Sequence, residues 1–221
     1  MSAWNLVEQM VNKGLTVSSE EQTEIEAQAR ELLADNVALR ALGEGEPAPD
    51  FTLTNARDED RSLSALLRDS AVVLSFYRGP WCAYCSEQLE RLQANLPEFE
   101  ARGGRLVAVS PQTPDNSLST KEKLGLGYEV LSDTGNRAAR AFGIAYQLPE
   151  ALRGAFERLG LDLPAYNGDD SFELPVPATY VIGQDGVIAF AHVDPDYTRR
   201  TEIPRILGAL DDAAAKAKVA S

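Results

Sequence analysis

The sequence of 221 residues holds only two cysteines, one histidine, two tryptophans and two methionines. Two cysteines cannot form the multi-bridge framework of a small secreted scaffold. His192 is the single histidine, and with one cysteine pair it falls short of a four-ligand zinc site, so no metal is expected. No apolar run approaches the ~18 residues of a membrane span. The segment Met1-Ser2-Ala3-Trp4-Asn5-Leu6 has neither the basic start nor the apolar stretch of a signal peptide, so a cytoplasmic location is expected. Positive charge is also scarce: 21 Lys+Arg stand against 34 Asp+Glu, a formal net charge of −13. Such a surface repels phosphate backbones and anionic lipid, and no Lys/Arg cluster counters it, so neither nucleic acid nor membrane is an expected partner. The remaining composition, 44% hydrophobic and 25% charged, is that of a globular chain long enough to build a core without staples.

The pattern divides the chain near residue 45. Residues 1–45 read as a helical N-terminal extension. Leu6, Val7, Met10 and Val11 fall at helical spacing, and a second helix starts near Ser18 or Ser19, where Ser19 and Gln22 resemble a capping box. Its apolar stripe, Ile25, Ala29, Leu32, Leu33 and Val37, must be covered either by the protein's own core or by a second copy in a homodimer, and the period alone cannot choose. Gly43-Glu44-Gly45-Glu46-Pro47-Ala48-Pro49 breaks the helix as a linker.

Residues 46–221 alternate strands with helices, the pattern of an α/β domain whose central sheet is covered on both faces. Ala71 to Tyr77 is an unbroken apolar strand suited to the sheet's centre. A helix from Ala83 follows, with Cys85, Leu89, Leu92, Leu96 and Phe99 on one face and Pro97 expected to kink it. Further elements are predicted at Arg105–Ser110, Tyr128–Leu131 and Asn136–Phe142. Residues 148–176 read as an irregular insertion with one helix, Glu150–Leu159. A hairpin, Ala178–Ile182 and Val187–Val193, and a final helix, Glu202–Lys216, complete the chain.

The chemistry is expected at Cys82 and Cys85, where the central strand passes through Arg78-Gly79-Pro80-Trp81 into a helix. A helix N-terminus presents unpaired N–H groups and the positive end of the dipole, which favour thiolate over thiol, and Arg78 adds a fixed positive charge. The thiolate is the nucleophile. A sulfenic acid or mixed disulfide formed on one sulfur then lies within reach of the other, which resolves it into an intramolecular disulfide. Trp81 has two readings, a shield and contact surface or ordinary core. His192 sits in a strand pattern far along the chain from the cysteines and reads as a surface or hydrogen-bonded residue rather than an acid/base.

Phe76-Tyr77-Arg78-Gly79-Pro80-Trp81-Cys82-Ala83-Tyr84-Cys85, preceded by Pro47-Ala48-Pro49-Asp50-Phe51-Thr52-Leu53, resembles the alkyl hydroperoxide reductase and thiol-specific antioxidant family, the peroxiredoxin-like branch of the thioredoxin fold. Leu148-Pro149, Leu161-Asp162-Leu163-Pro164, Asn167-Gly168-Asp169-Asp170, Leu174 to Tyr180 and Asp194-Pro195-Asp196-Tyr197 resemble a bacterial subgroup with a Tyr-Arg-Gly-x-Trp-Cys-x-Tyr-Cys segment. The resemblance implies a thioredoxin-like fold, with a central mixed sheet and helices on both faces, over residues 46–221. Asp50 is then a capping or packing residue. The family pattern Pro-x-x-x-Thr-x-x-Cys, set against Phe76-Tyr77 without gaps, puts its proline at Arg78, its threonine at Cys82 and its peroxidatic cysteine at Cys85, and only the cysteine is matched. The family's late arginine falls near Pro177, which instead resembles the proline facing the cysteines of thioredoxins and implies a cis Val176–Pro177 bond against the sulfurs. Arg78 then replaces part of the missing hydrogen-bond set.

The resemblance implies a thiol peroxidase without a cofactor. It reduces hydroperoxides through a Cys82–Cys85 disulfide and is recharged by an external dithiol, either thioredoxin-type or a low-molecular-weight thiol. Two alternatives stand beside it: a dithiol-disulfide oxidoreductase with little peroxidase activity, and a non-enzymatic redox sensor. By thioredoxin logic Cys82 attacks; in the peroxiredoxin register Cys85 does.

Overall fold

The computed structural model describes residues 6–34 and 40–220. Among these, seven strands form one mixed sheet in the order β2-β1-β5-β4-β3-β8-β9, from β1 (Thr52–Asn55), β2 (Asp60–Ser62), β3 (Ala71–Phe76), β4 (Gly104–Ser110), β5 (Glu129–Ser132), β8 (Ala178–Ile182) and β9 (Ile188–Val193). Strands β3, β4 and β5 run parallel, and β8 lies antiparallel to β3. A separate antiparallel pair joins β6 (Ala145–Gln147) to β7 (Glu173–Pro175). β3 is interior, which explains its apolar run: Val72, Val73 and Leu74 are wholly buried.

Alternation along the strands makes two cores. One face of the sheet packs Leu74, Phe76, Val107 and Tyr180 against the helices α3 (Leu63–Leu67), α7 (Arg137–Ala141) and α8 (Glu150–Arg158). The other packs Val73, Leu106, Ala108 and Val181 against α4 (Ala83–Ala94), α5 (Leu96–Ala101) and α10 (Ile203–Ala220). Cys82 and Cys85 belong to this second core. Two further helices are α6 (Pro114–Lys123) and α9 (Leu163–Asn167). Asp50 caps α3, its Oδ1 accepting the Ser64 N–H at 2.9 Å.

Pro97 breaks the predicted long helix rather than bending it. Its ring removes one helical N–H and collides with the carbonyl four residues back, so α4 ends and α5 restarts with Pro97 in its first turn. The intervening Asn95 donates its side-chain amide to the Arg91 carbonyl at 2.8 Å, occupying one of the orphaned acceptors of α4.

The N-terminal helices α1 (Leu6–Asn12) and α2 (Ser19–Ala34) lie on the 148–176 segment. The cap of α2 is Ser18, whose Oγ accepts the Glu21 N–H at 3.1 Å; Gln22 turns its side chain to Glu26 and Glu21 to Arg158, so the cap falls one residue before Ser19 and neither side chain closes a capping box. Met10 and Ile25 are buried in the chain's own first core, so at these positions self-coverage is the reading that holds. The side chains of Ala29, Leu32 and Leu33, and all of Val37, lie outside the described residues. Polar ties reinforce the contact: Lys13 Nζ donates to the Leu159 carbonyl at 2.7 Å, the Ala151 N–H to Gln28 Oε1 at 3.0 Å, and Arg158 pairs with Glu21. The insertion is thus more ordered than its sequence suggests.

Asp133 carries a distinct structural load at the end of β5. It is 1% exposed and accepts the N–H groups of Ala138 and Ala139, both at 2.9 Å, capping α7. Burial pushes its carboxyl pKa up, while the N–H groups, and Arg137, hold it down. Asp133→Ala strands two buried donors, and urea denaturation is expected to show a loss of about 2 kcal/mol.

Candidate active site

β3 ends at Phe76, the Tyr77 N–H still bonds the Val109 carbonyl at 2.9 Å, and the chain then turns through Arg78 to Trp81. The Cys82 N–H closes that turn on the Gly79 carbonyl at 3.2 Å. Cys82 is the N-cap of α4 in extended conformation, and its carbonyl accepts the N–H groups of Cys85 at 2.9 Å and Ser86 at 3.0 Å. This geometry leaves one sulfur at the helix mouth and the other one turn inside. Their Cα atoms are 5.2 Å apart and a disulfide joins them.

Each sulfur has its own guanidinium. Arg78, 3% exposed, places Nη2 at 3.1 Å from Cys82 Sγ, and Arg200 places Nη2 at 3.5 Å from Cys85 Sγ. Arg78 is held by stacking, its Cζ lying 4.0 Å from the Tyr197 ring centroid and 5.1 Å from that of Trp81. Burial, and next the charge of Arg78, lowers the pKa of Arg200 to about 10, so it remains a cation at neutral pH. Burial raises the Tyr197 phenol, which stays neutral. The turn Asp194-Pro195-Asp196-Tyr197 delivers Tyr197 and Arg200: the Asp196 N–H bonds Asp194 Oδ1 at 2.9 Å, and Asp196 Oδ1 takes the Thr198 hydroxyl at 2.7 Å. In the reduced protein, two fixed cations at two sulfurs would favour thiolate and sulfenate charge.

Of the sequence-derived candidates, Cys82, Cys85, Arg78, Trp81 and Pro177 all gather here. Trp81 is partly buried and packs on Phe156 of α8 with ring centroids 5.3 Å apart, so it ties the insertion to the cysteine turn. Pro177 lines the cavity beside Cys85, but the cis expectation fails: the described residues contain no cis peptide bond. The chain runs on from Pro175, paired in β7, to Ala178, paired with Phe76 in β8, and needs no reversal at Pro177. The trans isomer is then the default, and the specific comparison with the thioredoxin proline falls. Sequence reading missed Arg200, whose one signal was its nearness to the Asp194–Tyr197 motif. It also set aside His192, which lines the Cys85 cavity.

Gly79 is required where Trp81 closes over the turn. A Cβ there would stand 2.5 Å from the indole nitrogen and 3.0 Å from its neighbouring carbon. Gly79→Ala is expected to push the indole off Phe156, shifting tryptophan emission and costing about 1–3 kcal/mol in chemical denaturation.

The model of the AhpC/TSA family matches residues 45–191. The chain is 26% identical over 151 residues to the chloroplastic peroxiredoxin Q of Suaeda salsa, an alignment covering 68% of this chain and 60% of that protein. It is 28% identical over 105 residues to the thiol-disulfide oxidoreductase ResA of Geobacillus kaustophilus, covering 47% and 59% respectively. The chain thus spans about 60% of the length of these two curated relatives. The fold is similar to that of the peroxidoxin BcpB of Mycobacterium tuberculosis, with a TM-score of 0.61 at 21% identity, covering 77% of this chain and 97% of that one.

Proposed function

Because the chain belongs to the AhpC/TSA family, we propose that it is a thiol peroxidase working through Cys82 and Cys85. The observation that carries the reading is the joined pair of sulfurs with an arginine at each. The Cys82 thiolate attacks the nearer oxygen of a hydroperoxide. The O–O bond breaks, the alkoxide or hydroxide leaves and is protonated, and Cys82 becomes a sulfenic acid. Cys85 displaces water from that sulfur to give the disulfide. An external dithiol, thioredoxin-type or a small thiol, then exchanges with the disulfide and restores both thiols. Cys82 is assigned the attack because it sits at the helix N-cap, nearer its arginine, whereas Cys85 faces the internal cavity.

Tyr84, 43% exposed and edge-on to Tyr197 at 5.7 Å, offers the reductant a contact beside the disulfide. A homodimer through the α2 stripe and residence in a reducing bacterial cytoplasm belong to the same proposal. Sedimentation of the intact chain tests the dimer. The second reading, disulfide exchange without peroxide chemistry, is favoured by the absent family threonine and proline and by the similarity to ResA. Oxidation of the reduced protein by hydrogen peroxide and by an organic hydroperoxide, compared with its oxidation by a small disulfide, separates them. Peroxide is expected to react far faster than with free cysteine; a rate no better than free cysteine overturns the peroxidase.

A further inference from the structure

Along β3, β8 and β9, the face of the sheet beneath α4 is apolar but for one row. Val73, Val181 and Phe190 pair across β3, β8 and β9 and are all buried in the second core. The row two residues along reads Ser75, Thr179 and His192 on the same face. This polar row lies under Cys85 and Gln88 of α4, and together with Arg200 and Pro177 these residues enclose a cavity with room for about one water molecule.

The cavity's polar groups are unspent. Gln88 is 5% exposed, and neither atom of its amide has a hydrogen-bond partner among the described residues; the same holds for His192 Nε2. With its proton on Nδ1, the imidazole presents Nε2 as an acceptor. Buried polar atoms without partners are rare, and three around one water-sized space mark a built site for a water. Nothing in the apolar core requires them.

We propose that this chamber is the proton outlet of Cys85: a water held by Gln88 carries the thiol proton to Nε2 of His192. The proposal rests on the reading above only in taking Cys85 as the resolving thiol. Loss of the proton gives the Cys85 thiolate, which Arg200 stabilises. That thiolate attacks the sulfenic sulfur of Cys82; the S–S bond forms, the S–O bond breaks, and hydroxide departs. The hydroxide takes the proton from the imidazolium and leaves as water. The sum is sulfenic acid plus thiol to disulfide plus water, with Cys85 oxidised and the Cys82 sulfur reduced.

The charged groups around His192 keep it fit for this task. Burial is the largest influence and disfavours a charged imidazole; Arg205 of α10 and Arg200 of the loop before it act the same way, while the Arg199 backbone and Asp194, just after β9, act against them without prevailing. The result is a pKa below the ordinary value, and hence a neutral acceptor at neutral pH. Ser75, Thr179 and Gln88 bring no charge.

Stopped-flow mixing of the full-length reduced protein with equimolar hydrogen peroxide, with quenched samples read by mass spectrometry, resolves sulfenic acid formation from disulfide closure. His192→Gln is expected to leave sulfenic acid formation unchanged and to slow closure about 10²-fold, so that sulfenic acid accumulates. Wild-type closure is expected to slow on acidification as His192 takes up a proton, and the variant to lack this limb. Closure at the wild-type rate in the variant overturns the proposal. So does equal slowing of both steps, which describes a merely structural residue. The wild-type imidazole gives a check that needs no variant. NMR is expected to show the Nδ1–H tautomer and a titration displaced between dithiol and disulfide forms; an Nε2–H tautomer or an identical titration overturns the outlet. A wild-type protein inert to peroxide defeats the peroxidase reading instead, and the NMR comparison still decides the proton acceptor.

Discussion

Cys82→Ser is expected to reduce the rate of reaction with hydrogen peroxide by about 10³-fold or more, a rise of about 4 kcal/mol in the activation barrier. The cause is chemical rather than steric. A serine in the same position stays protonated, and no base within the turn can ionise it, whereas the thiol has the helix mouth and Arg78 Nη2 at 3.1 Å to hold its anion. Cys85→Ser is expected to behave otherwise. It keeps the first step and stops at sulfenic acid, so that one turnover occurs and recycling by a dithiol fails. Competition kinetics on the two variants reads the difference directly, and equal loss in both would deny Cys82 its separate role.

Arg78→Met is expected to give the second largest effect, a fall of about 10²-fold in the rate of oxidation, near 3 kcal/mol. Arg78 is 3% exposed, and its flat guanidinium is clamped between the rings of Trp81 and Tyr197, so its charge is fixed before the reaction begins. Methionine replaces the buried stem and removes only the charge and the donors. Arg78→Lys restores charge without the planar stack and is expected to fall between the two. A second effect separates lost chemistry from lost structure. The charge of Arg78 helps hold the Arg200 pKa down, so the Arg200 titration is expected to rise in Arg78→Met while the thermal transition stays cooperative. A rate unchanged in Arg78→Met would leave Cys82 to the helix dipole alone.

The site was legible in sequence wherever its parts are close in the chain. A strand, a four-residue turn and a helix start fix Arg78, Trp81, Cys82 and Cys85 relative to one another, and the apolar run of β3 and the helical period of α4 declare both elements. A central sheet covered on both faces follows from the same alternation, and its mixed direction from the family resemblance. What escaped depends on register across strands. Ser75, Thr179 and His192 are scattered through the sequence, and only the pairing of β3 with β8 and β8 with β9 sets them in one row. Arg200 was hidden for a similar reason, since its place beside Cys85 is set by a turn built from Asp194 and Asp196. Spacing tells that Pro97 disturbs a helix but not that Asn95 can serve the open carbonyl end of α4, which turns the expected kink into a break. The cis expectation at Pro177 came from likeness of motif, and the extended path between β7 and β8 removes its physical need.

The most direct test of the account is the identity of the sulfur that peroxide oxidises first. Reduced Cys85→Ser and Cys82→Ser proteins are treated with equimolar hydrogen peroxide in the presence of a diketone that traps sulfenic acid, and the adduct is located by peptide mass spectrometry. The account predicts a rapid adduct on Cys82 in Cys85→Ser and none on Cys85 in Cys82→Ser. A rapid adduct on Cys85 with Cys82 unlabelled would contradict it, exchanging the two roles and moving the peroxide site to the Arg200 side of the pair.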